Sequence, residues 1–334
     1  SGPPPRRAET MHLLLTTYGT WLGKSGESFL VKTPEKKTEI PIAKIESIWI
    51  STAATLSTDV IQAALEHNID IVFLDVHGDP IGRVWHVRLG STAAIRRRQL
   101  EVALDERGLD LVREWVSRKM KNQAHHLRRL QAARSMEEPA FSARIDAILS
   151  LEKQLDQLHG RIDAQRERIL GLEGSAAREY FDGISSVLPP EWRFDGRSHR
   201  PAHDPFNCTL NYGYGVLYSL VERACILAGL DPYVGILHTD NYNKQSFVFD
   251  MIEAFRVHVD HVVTSLFTLR QMHPDCFEQI EGGWSLARPG KAILMEALNA
   301  HLDAEKTYRG RTMKVRNTML AECHAVANQL LERG

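Results

Sequence analysis

Residues 207–256 read NCTLNYGYGVLYSLVERACILAGLDPYVGILHTDNYNKQSFVFDMIEAFR and join a long apolar run to a histidine and two acids. Over Gln245–Arg256 the apolar residues follow the i, i+3, i+4, i+7 spacing of a helix with one buried face. They are Val248, Met251, Ile252 and Phe255. The segment therefore predicts a helix packed against a core, with a polar strip on its opposite side.

The polar strip carries Asp250 and Glu253, three residues apart and flanked by two phenylalanines. Two neighbouring carboxylates in a partly dry setting cannot both ionise at low cost unless a cation or a proton intervenes. His238, which ends the preceding apolar run, adds an imidazole, so one interpretation is a divalent metal site. The alternatives are a solvated acidic stripe, an ion pair between Glu253 and Arg256, and a structural role for His238.

Four segments, in order along the chain, resemble the motifs of a known family. They are GLEGSAAREYF at 171–181; RP at 200–201 with DPFN at 204–207 and LNYGY at 210–214; LDPYVGILH at 230–238; and FDMIEAFR at 249–256. In combination and in this order they are similar to the CRISPR-associated adaptation endonuclease/integrase, the Cas-one family. The combination is far more specific than any single motif.

The resemblance implies a metal site. In that family a glutamate, a histidine and a third acid bind one divalent metal, and these correspond to Glu173, His238 and Glu253. Asp250 corresponds to an auxiliary catalytic acid one turn from Glu253. Because family members carry either aspartate or glutamate at the third position, Asp250 is also the alternative third ligand. Hard carboxylate oxygens suit Mg²⁺ or Mn²⁺, and an imidazole ligand favours Mn²⁺. The small residues around Glu173 are expected to let another helix or a ligand approach closely.

The resemblance also implies a reaction and partners. The 3′-hydroxyl of a captured DNA fragment is joined to the repeat of a CRISPR array, which is spacer acquisition in antiviral defence. The implied partners are double-stranded DNA (protospacer and CRISPR repeat), a second copy in a homodimer, and the small Cas-two protein. Residues 1–10 lack periodicity and are compatible with a cloning remnant or a linker from an upstream domain such as a reverse transcriptase.

Composition describes an ordinary globular protein. The 334 residues are 43% hydrophobic and 25% charged, and this length suggests two domains. No apolar run approaches the roughly 20 residues of a membrane span, and no secretory signal is visible, so no membrane partner is expected. The 4 cysteines are scattered without a Cys-x-x-Cys pair, which favours reduced thiols in the cytoplasm.

Basic residues are concentrated between Arg83 and Arg134, although the whole chain has a formal net charge of −1. This segment contains 13 Lys or Arg against 5 Asp or Glu. A local basic surface is what binding to DNA phosphates requires, because neutralised phosphates release counterions. The cluster Arg96, Arg97 and Arg98 is therefore a candidate DNA contact, and the alternative is a solvated helix face.

Weaker candidates for DNA contacts lie near the motifs: Arg178, Asn207, Tyr218 and Arg223. Most have a structural alternative. Arg178 can pair with an acid on its own helix, and Asn207 can cap the following helix. Tyr218 can hydrogen-bond to Glu222 one turn later.

The order of these patterns predicts an α+β multidomain protein. A β-rich dimerisation domain with one helix is expected at 11–87, and a larger all-helical, metal-binding catalytic domain at 88–334. Branched and aromatic runs predict strands at 12–17, 28–33, 38–42, 47–51, 69–75 and 80–86, with a helix at 57–67. Gly23–Gly26 is predicted as a turn. Open strand edges favour pairing with a second copy.

Helical spacing dominates the second domain. The predicted helices are 93–106, 109–134, 141–159, 161–172, 209–228, 245–260, 289–303 and 311–333. No comparable group of strands is expected there.

Two other functions are compatible with the residues. One is a non-catalytic DNA-binding scaffold, in which the acids are structural. The other is a metallohydrolase of small phosphate esters, which does not explain the basic segment.

Overall fold

The computed structural model describes residues 11–67, 69–75, 78, 80–84, 93–134, 139–199, 201–238 and 245–332. Residues 1–10, interpreted above as a cloning remnant or a linker, lie outside the described residues. So does Arg200, which belongs to one of the four motif segments. The chain divides into two compact units, Ser1–Arg88 and Leu89–Gly334. The predicted class, a β-rich region followed by a helical one, is confirmed.

Among its described residues, the first unit contains two four-stranded sheets, ordered β1-β5-β7-β8 and β4-β3-β2-β6, and one α-helix. Its elements are β1 (Met11–Leu15), β2 (Thr20–Ser25), β3 (Ser28–Lys32), β4 (Lys37–Pro41), β5 (Ile45–Ile50), β6 (Ala54–Leu56), α1 (Thr58–Glu66), β7 (Asp70–Leu74) and β8 (Pro80–Val84). Strands β1, β5 and β7 run parallel, and β8 is antiparallel to β7. Branched side chains such as Ile48, Val60 and Ile71 are fully buried and form its core.

Strand β2 was not predicted, because Gly23 was assigned to a turn. A Cβ on Gly23 would lie 2.0 Å from the ring of Trp21, so the glycine leaves room for that ring against the strand. The turn falls after the strand, where Gly26 has a φ of +58°. Strands β2 and β3 pair antiparallel across it.

The described residues of the second unit form helices and two small hairpins. Its helices are α2 (Ala93–Val102), α3 (Glu106–Ala133), α4 (Pro139–Lys153), α5 (Ile162–Val187), α6 (Pro205–Ala228), α7 (Ser246–Ile252), α8 (Arg256–Thr268), α9 (Arg288–Asp303) and α10 (Val315–Glu332). The hairpins are β9 (Phe277–Ile280) with β10 (Gly283–Leu286), and β11 (Glu305–Tyr308) with β12 (Arg311–Lys314). Neither hairpin was predicted, and the last helix begins at Val315 rather than at Arg311.

Helix α6 is at the centre of this unit. Most of its side chains are buried, and it packs against α7, α8, α9 and α10. Asp204 caps its first turn by accepting the backbone N–H of Asn207 at 2.7 Å. The helix ends at Gly229, whose φ of +86° is the left-handed conformation typical of a helix C-terminus.

The predicted single helix over 245–260 is two helices. A turn over 253–255 interrupts the helix, and there the carbonyl of Ala254 accepts the side-chain amide of Asn122 at 3.0 Å. A side chain that takes a carbonyl away from the helical ladder favours such a break. Glu253 therefore lies at the junction of α7 and α8 rather than on a continuous helix face.

Candidate active site

Glu173 projects from the middle of α5. The helix continues well past the predicted end at 172, so the whole acidic motif is helical. Glu173 is 8% exposed, whereas Gly171 and Gly174 are exposed. A Cβ on either glycine would meet no atom within 4 Å, so neither glycine makes room for a neighbouring helix. Of the other small residues, Ala176 is fully buried and Ala177 lines a cavity. The buried side of α5 at this point faces α3.

Glu253 comes from the α7–α8 junction and is 5% exposed. Its Oε1 pairs with the guanidinium Nε of Arg256 at 2.9 Å, which is the ion pair that the sequence left as an alternative. Its Oε2 contacts the ammonium of Lys119. The same ammonium contacts Oε1 of Glu173. Two buried carboxylates from different parts of the chain thus meet at one cation.

Lys119 was not identified as a site residue from the sequence. It was counted only among the basic residues of its segment, because its partners lie 54 or more residues away. Its side chain is 12% exposed, whereas that of Lys121 is 61% exposed and pairs with Glu152. The sequence indicates that Lys119 is buried only through the apolar residues that lie one turn away on the same predicted helix.

Asp250 holds the loop that carries His238. Its Oδ2 accepts the backbone N–H groups of Ile236 at 2.6 Å and Leu237 at 3.2 Å. Its Oδ1 accepts the backbone N–H of His238 at 3.0 Å and the ring Nδ1–H at 2.7 Å. Both oxygens are therefore occupied, so Asp250 positions His238 rather than facing the two glutamates. The ring Nε2 is left as the nitrogen available to a metal.

Neighbouring charges outweigh burial in setting the pKa values of His238, Glu253 and Lys119. Burial alone would lower the pKa of His238, but the hydrogen bond to Asp250 and the charges of Asp250, Glu253 and Glu173 raise it. Burial alone would raise the pKa of Glu253, but Arg256 and Lys119 hold it below its usual range. Both glutamates act on the Lys119 ammonium against the effect of burial and raise its pKa. Glu253 is therefore an anion at neutral pH.

The two glutamates are of a kind that suits a divalent cation, because their carboxylates already converge on a single positive charge. Within the described ranges, no three Asp, Glu, His or Cys side chains are close enough to form a ready metal site. Lys119 takes part of the space between the two glutamates. The assignment of Glu173, His238 and Glu253 as a complete ligand set stays a prediction.

A cavity of about 190 Å³ adjoins this site. Glu253 and Asp260 line it together with four residues that are cationic or can become so: Lys119, Arg197, His199 and Arg256. Arg197 is held in place by the side-chain oxygens of Asn207 and Asn211 on α6. Its guanidinium also lies 5.4 Å from the centre of the Tyr214 ring. The cavity is suited to an anion that carries several oxygens.

The weaker candidates have different positions. Asn207 is fully buried and does not cap α6; instead it fixes Arg197 and donates to the carbonyl of Gly196 at 2.9 Å. Tyr218 packs against Phe249 at 4.7 Å between ring centres, and its hydroxyl has no hydrogen-bond partner among the described residues. The carboxylate of Glu222 instead accepts the side chain of Gln245.

Arg178 and Arg223 do not line the cavity. Arg178 is exposed on α5, and Arg223 is half-buried on α6.

Acidic side chains from other segments pair with part of the basic segment, so its surface carries less unpaired positive charge than its sequence suggests. Among the described residues, Arg97, Arg128 and Arg129 remain exposed. Several other cations pair with distant acids: Arg96 with Asp231, Arg113 with Asp156, Arg118 with Glu322 and Lys121 with Glu152.

The sequence model of the family described as CRISPR associated protein Cas1 matches residues 13–300. The chain belongs to the Cas1 family. The CRISPR-associated endonuclease Cas1 1 of Archaeoglobus fulgidus is 35% identical over 332 residues, which cover 95% of each chain. Membership of the Cas1 family places the chain among CRISPR-associated proteins, and its curated relatives in that family include proteins named endonucleases. The resemblance seen in the four motif segments is confirmed.

Solved structures show that the chain has the Cas1 fold. A casposase bound to integration product matches with a TM-score of 0.83 at 22% identity, covering 97% of this chain and 91% of that one. A Cas6-RT-Cas1–Cas2 complex matches with a TM-score of 0.78 at 21% identity, covering 100% of this chain and 36% of the other. Within the described part of this Cas1-family chain, no helix has the length and apolar character needed to cross a membrane.

Proposed function

We propose that this Cas1-family chain is a CRISPR spacer-acquisition integrase. It uses Mg²⁺ or Mn²⁺ to join the 3′-hydroxyl of a captured DNA fragment to the repeat of the array. The observation that carries the proposal is the meeting of two buried carboxylates, Glu173 and Glu253, at one cation beside a cation-lined cavity. The Archaeoglobus fulgidus relative is named an endonuclease.

Glu173, Glu253 and Nε2 of His238 are the groups that would hold the metal. When bound, the metal supplies a Lewis acid that stabilises negative charge developing on the attacked phosphate. Asp250 keeps the imidazole of His238 in one orientation through its hydrogen bond to Nδ1. Arg256 holds the Glu253 carboxylate from the other side.

The cavity next to the glutamates would receive the phosphate. Arg197 and Arg256 present guanidinium groups there, and His199 adds an imidazole. Charged donors that are already in place stabilise a phosphoryl transition state without reorganisation at the moment of reaction. The two asparagines of α6 that hold Arg197 contribute to this preorganisation.

The chemistry needs no covalent intermediate with the protein. The 3′-oxygen of the fragment forms a bond to phosphorus, and the bond from phosphorus to the 3′-oxygen of the repeat strand breaks. The attacking hydroxyl gives up a proton, and the released strand end takes one up as a new 3′-hydroxyl. The number of phosphodiester bonds is conserved.

The proposed partners are double-stranded DNA, a second copy of the chain and a Cas2 protein, with a reverse transcriptase as a further associate. The names of the structural neighbours support these partners, since they include an integration product, Cas2 and a reverse transcriptase. The edge strands β4 and β8 support the homodimer, because unpaired strand edges favour pairing. Ile81 on β8 is 71% exposed.

A strand-joining reaction tests the proposal. The protein, with and without a Cas2 protein, is incubated with an end-labelled duplex, Mn²⁺ and a supercoiled plasmid that carries a repeat. Wild type is expected to attach label to the plasmid. Glu173→Gln, His238→Ala and Glu253→Gln are expected to give no labelled plasmid while remaining folded. Glu179→Gln is the control, since Glu179 lies on the same helix but pairs with Arg144.

Two outcomes would contradict the proposal. Strand joining in the presence of EDTA would show that the reaction needs no divalent metal. Strand joining by a variant at the wild-type level would show that the replaced residue is not required for catalysis. A scaffold that only binds DNA would bind equally well in EDTA and never join strands. A hydrolase of small phosphate esters would cleave a chromogenic phosphodiester and ignore the duplex.

A further inference from the structure

The position of Lys119 bears directly on metal binding. Its ammonium contacts both glutamates that would hold the metal, although it comes from α3, whereas the glutamates come from α5 and the α7–α8 junction. Its side chain is 12% exposed. It is therefore enclosed between the two carboxylates rather than extended into solvent.

The charges at this point are already balanced without a metal. Glu173 and Glu253 supply two negative charges, and Lys119 and Arg256 supply two positive ones. Asp250 is engaged with the His238 loop. A divalent cation added beside the ammonium would bring like charges into contact, and at low effective dielectric such repulsion is large. The metal and the lysine therefore exclude each other from the same carboxylate oxygens.

We propose that Lys119 is a built-in competitor for the metal site. It holds the two carboxylates together and neutralises them, and a divalent cation must displace it to bind. This inference rests on the proposed role of Glu173 and Glu253 as metal ligands. Its consequence is that the chain binds metal more weakly than its carboxylates alone would allow, so metal occupancy requires a higher concentration of free cation.

Calorimetric titration with Mn²⁺ tests this on the full chain, with no DNA and no turnover. Lys119→Met removes the charge and keeps most of the side chain, and it is expected to bind Mn²⁺ at least about tenfold more tightly than wild type. Lys119→Arg keeps the charge and is expected to bind no more tightly than wild type. Lys121→Met is the matched control, since Lys121 lies on the same helix and pairs with a glutamate outside the site. It is expected to match wild type.

Thermal unfolding provides a second readout. Without metal, Lys119→Met leaves two buried carboxylates without their shared counter-charge, so its Tm is expected to fall and to rise more on adding Mn²⁺ than the wild-type Tm does. If the variant is unfolded without metal, circular dichroism should show that Mn²⁺ refolds it. Failure of saturating Mn²⁺ to refold it would overturn the proposal.

The outcomes separate this inference from the proposed function. If wild type binds Mn²⁺, Glu173→Gln abolishes binding, and Lys119→Met binds equally or more weakly than wild type, then only the competition is wrong. If neither wild type nor Lys119→Met binds Mn²⁺, the metal site itself is wrong. Tighter binding by Lys119→Met, lost again when Glu173→Gln is added, supports both.

Discussion

Asp250 accepts hydrogen bonds from three successive backbone N–H groups and from the ring of His238, and its side chain is fully buried. Asp250→Asn replaces one acceptor oxygen with a donor that faces these N–H groups. Residues that orient a metal-binding histidine typically contribute about 10–100-fold in metal affinity. We expect Mn²⁺ affinity to fall by this factor and the Tm to fall as well. Calorimetric titration checks this, and unchanged affinity would show that the loop does not depend on Asp250. Asp182→Asn, on the partly exposed side of α5, is the control.

Asp260 sets a pH dependence of stability. Burial raises its pKa from 3.8 to about 6, against the lowering effect of hydrogen bonds from Tyr214 and Tyr180. Between these two values the folded carboxyl keeps a proton that the unfolded chain has released. The free energy of unfolding therefore falls as pH rises through this window, by up to roughly 3 kcal/mol.

Asp260→Asn removes this titration and leaves every other carboxylate in place. We expect the Tm of wild type, relative to that of Asp260→Asn, to drop as pH rises from about 4 to about 6. Thermal unfolding of both proteins across this range is the measurement. Parallel curves would show that the Asp260 carboxyl titrates alike in the folded and unfolded chains.

At the scale of elements, the approach of α6 to α8 depends on Gly213. A Cβ there would lie 2.5 Å from Cγ1 of Val259, a fully buried branched side chain with little freedom to move. Gly213→Ala is expected to destabilise the fold by about 1–3 kcal/mol. Gly171→Ala on α5 is the matched control, because its Cβ meets nothing within 4 Å. It is expected to stabilise by about 0.5–1 kcal/mol. Urea unfolding measures both, and equal effects would contradict the packing described.

Helix α2 permits a sharper test of the basic segment. Arg96 and Arg98 already pair with Asp231 and Glu101, whereas Arg97 is exposed and has no ion pair within the described residues. Replacing all three by Ala should therefore remove one phosphate contact rather than three. Since each contact contributes about 0.9 to the slope of log K against log salt concentration for DNA binding, the slope should become shallower by about 1 rather than about 3. An unchanged slope would show that this face does not contact DNA.

The sequence pattern predicts the long helices but not the helix break or the short hairpins. Long helices such as α3 and α6 are predicted because their apolar period repeats over many turns. The break between α7 and α8 is not, since it depends on Asn122 reaching the carbonyl of Ala254. The short hairpins β9–β10 and β11–β12 lack an apolar alternation long enough to detect.

For the molecule as a whole, local motifs were sufficient to predict the class of fold and to nominate Glu173, His238 and Glu253. They could not show that Glu173 and Glu253 share Lys119, because that contact arises from the packing of α3 against α5 and the α7–α8 junction. They also could not show that Asp250 serves the His238 loop. Contacts between distant segments are decided by packing, which a single sequence does not display.

Anomalous diffraction at the manganese edge, from crystals grown with Mn²⁺, would show whether Glu173, His238 and Glu253 bind one metal ion. We expect one strong peak bonded to the carboxylates of Glu173 and Glu253 and to Nε2 of His238, with the Lys119 ammonium withdrawn from between the glutamates. A peak bonded to other residues, or no peak at a Mn²⁺ concentration that supports strand joining, would contradict it.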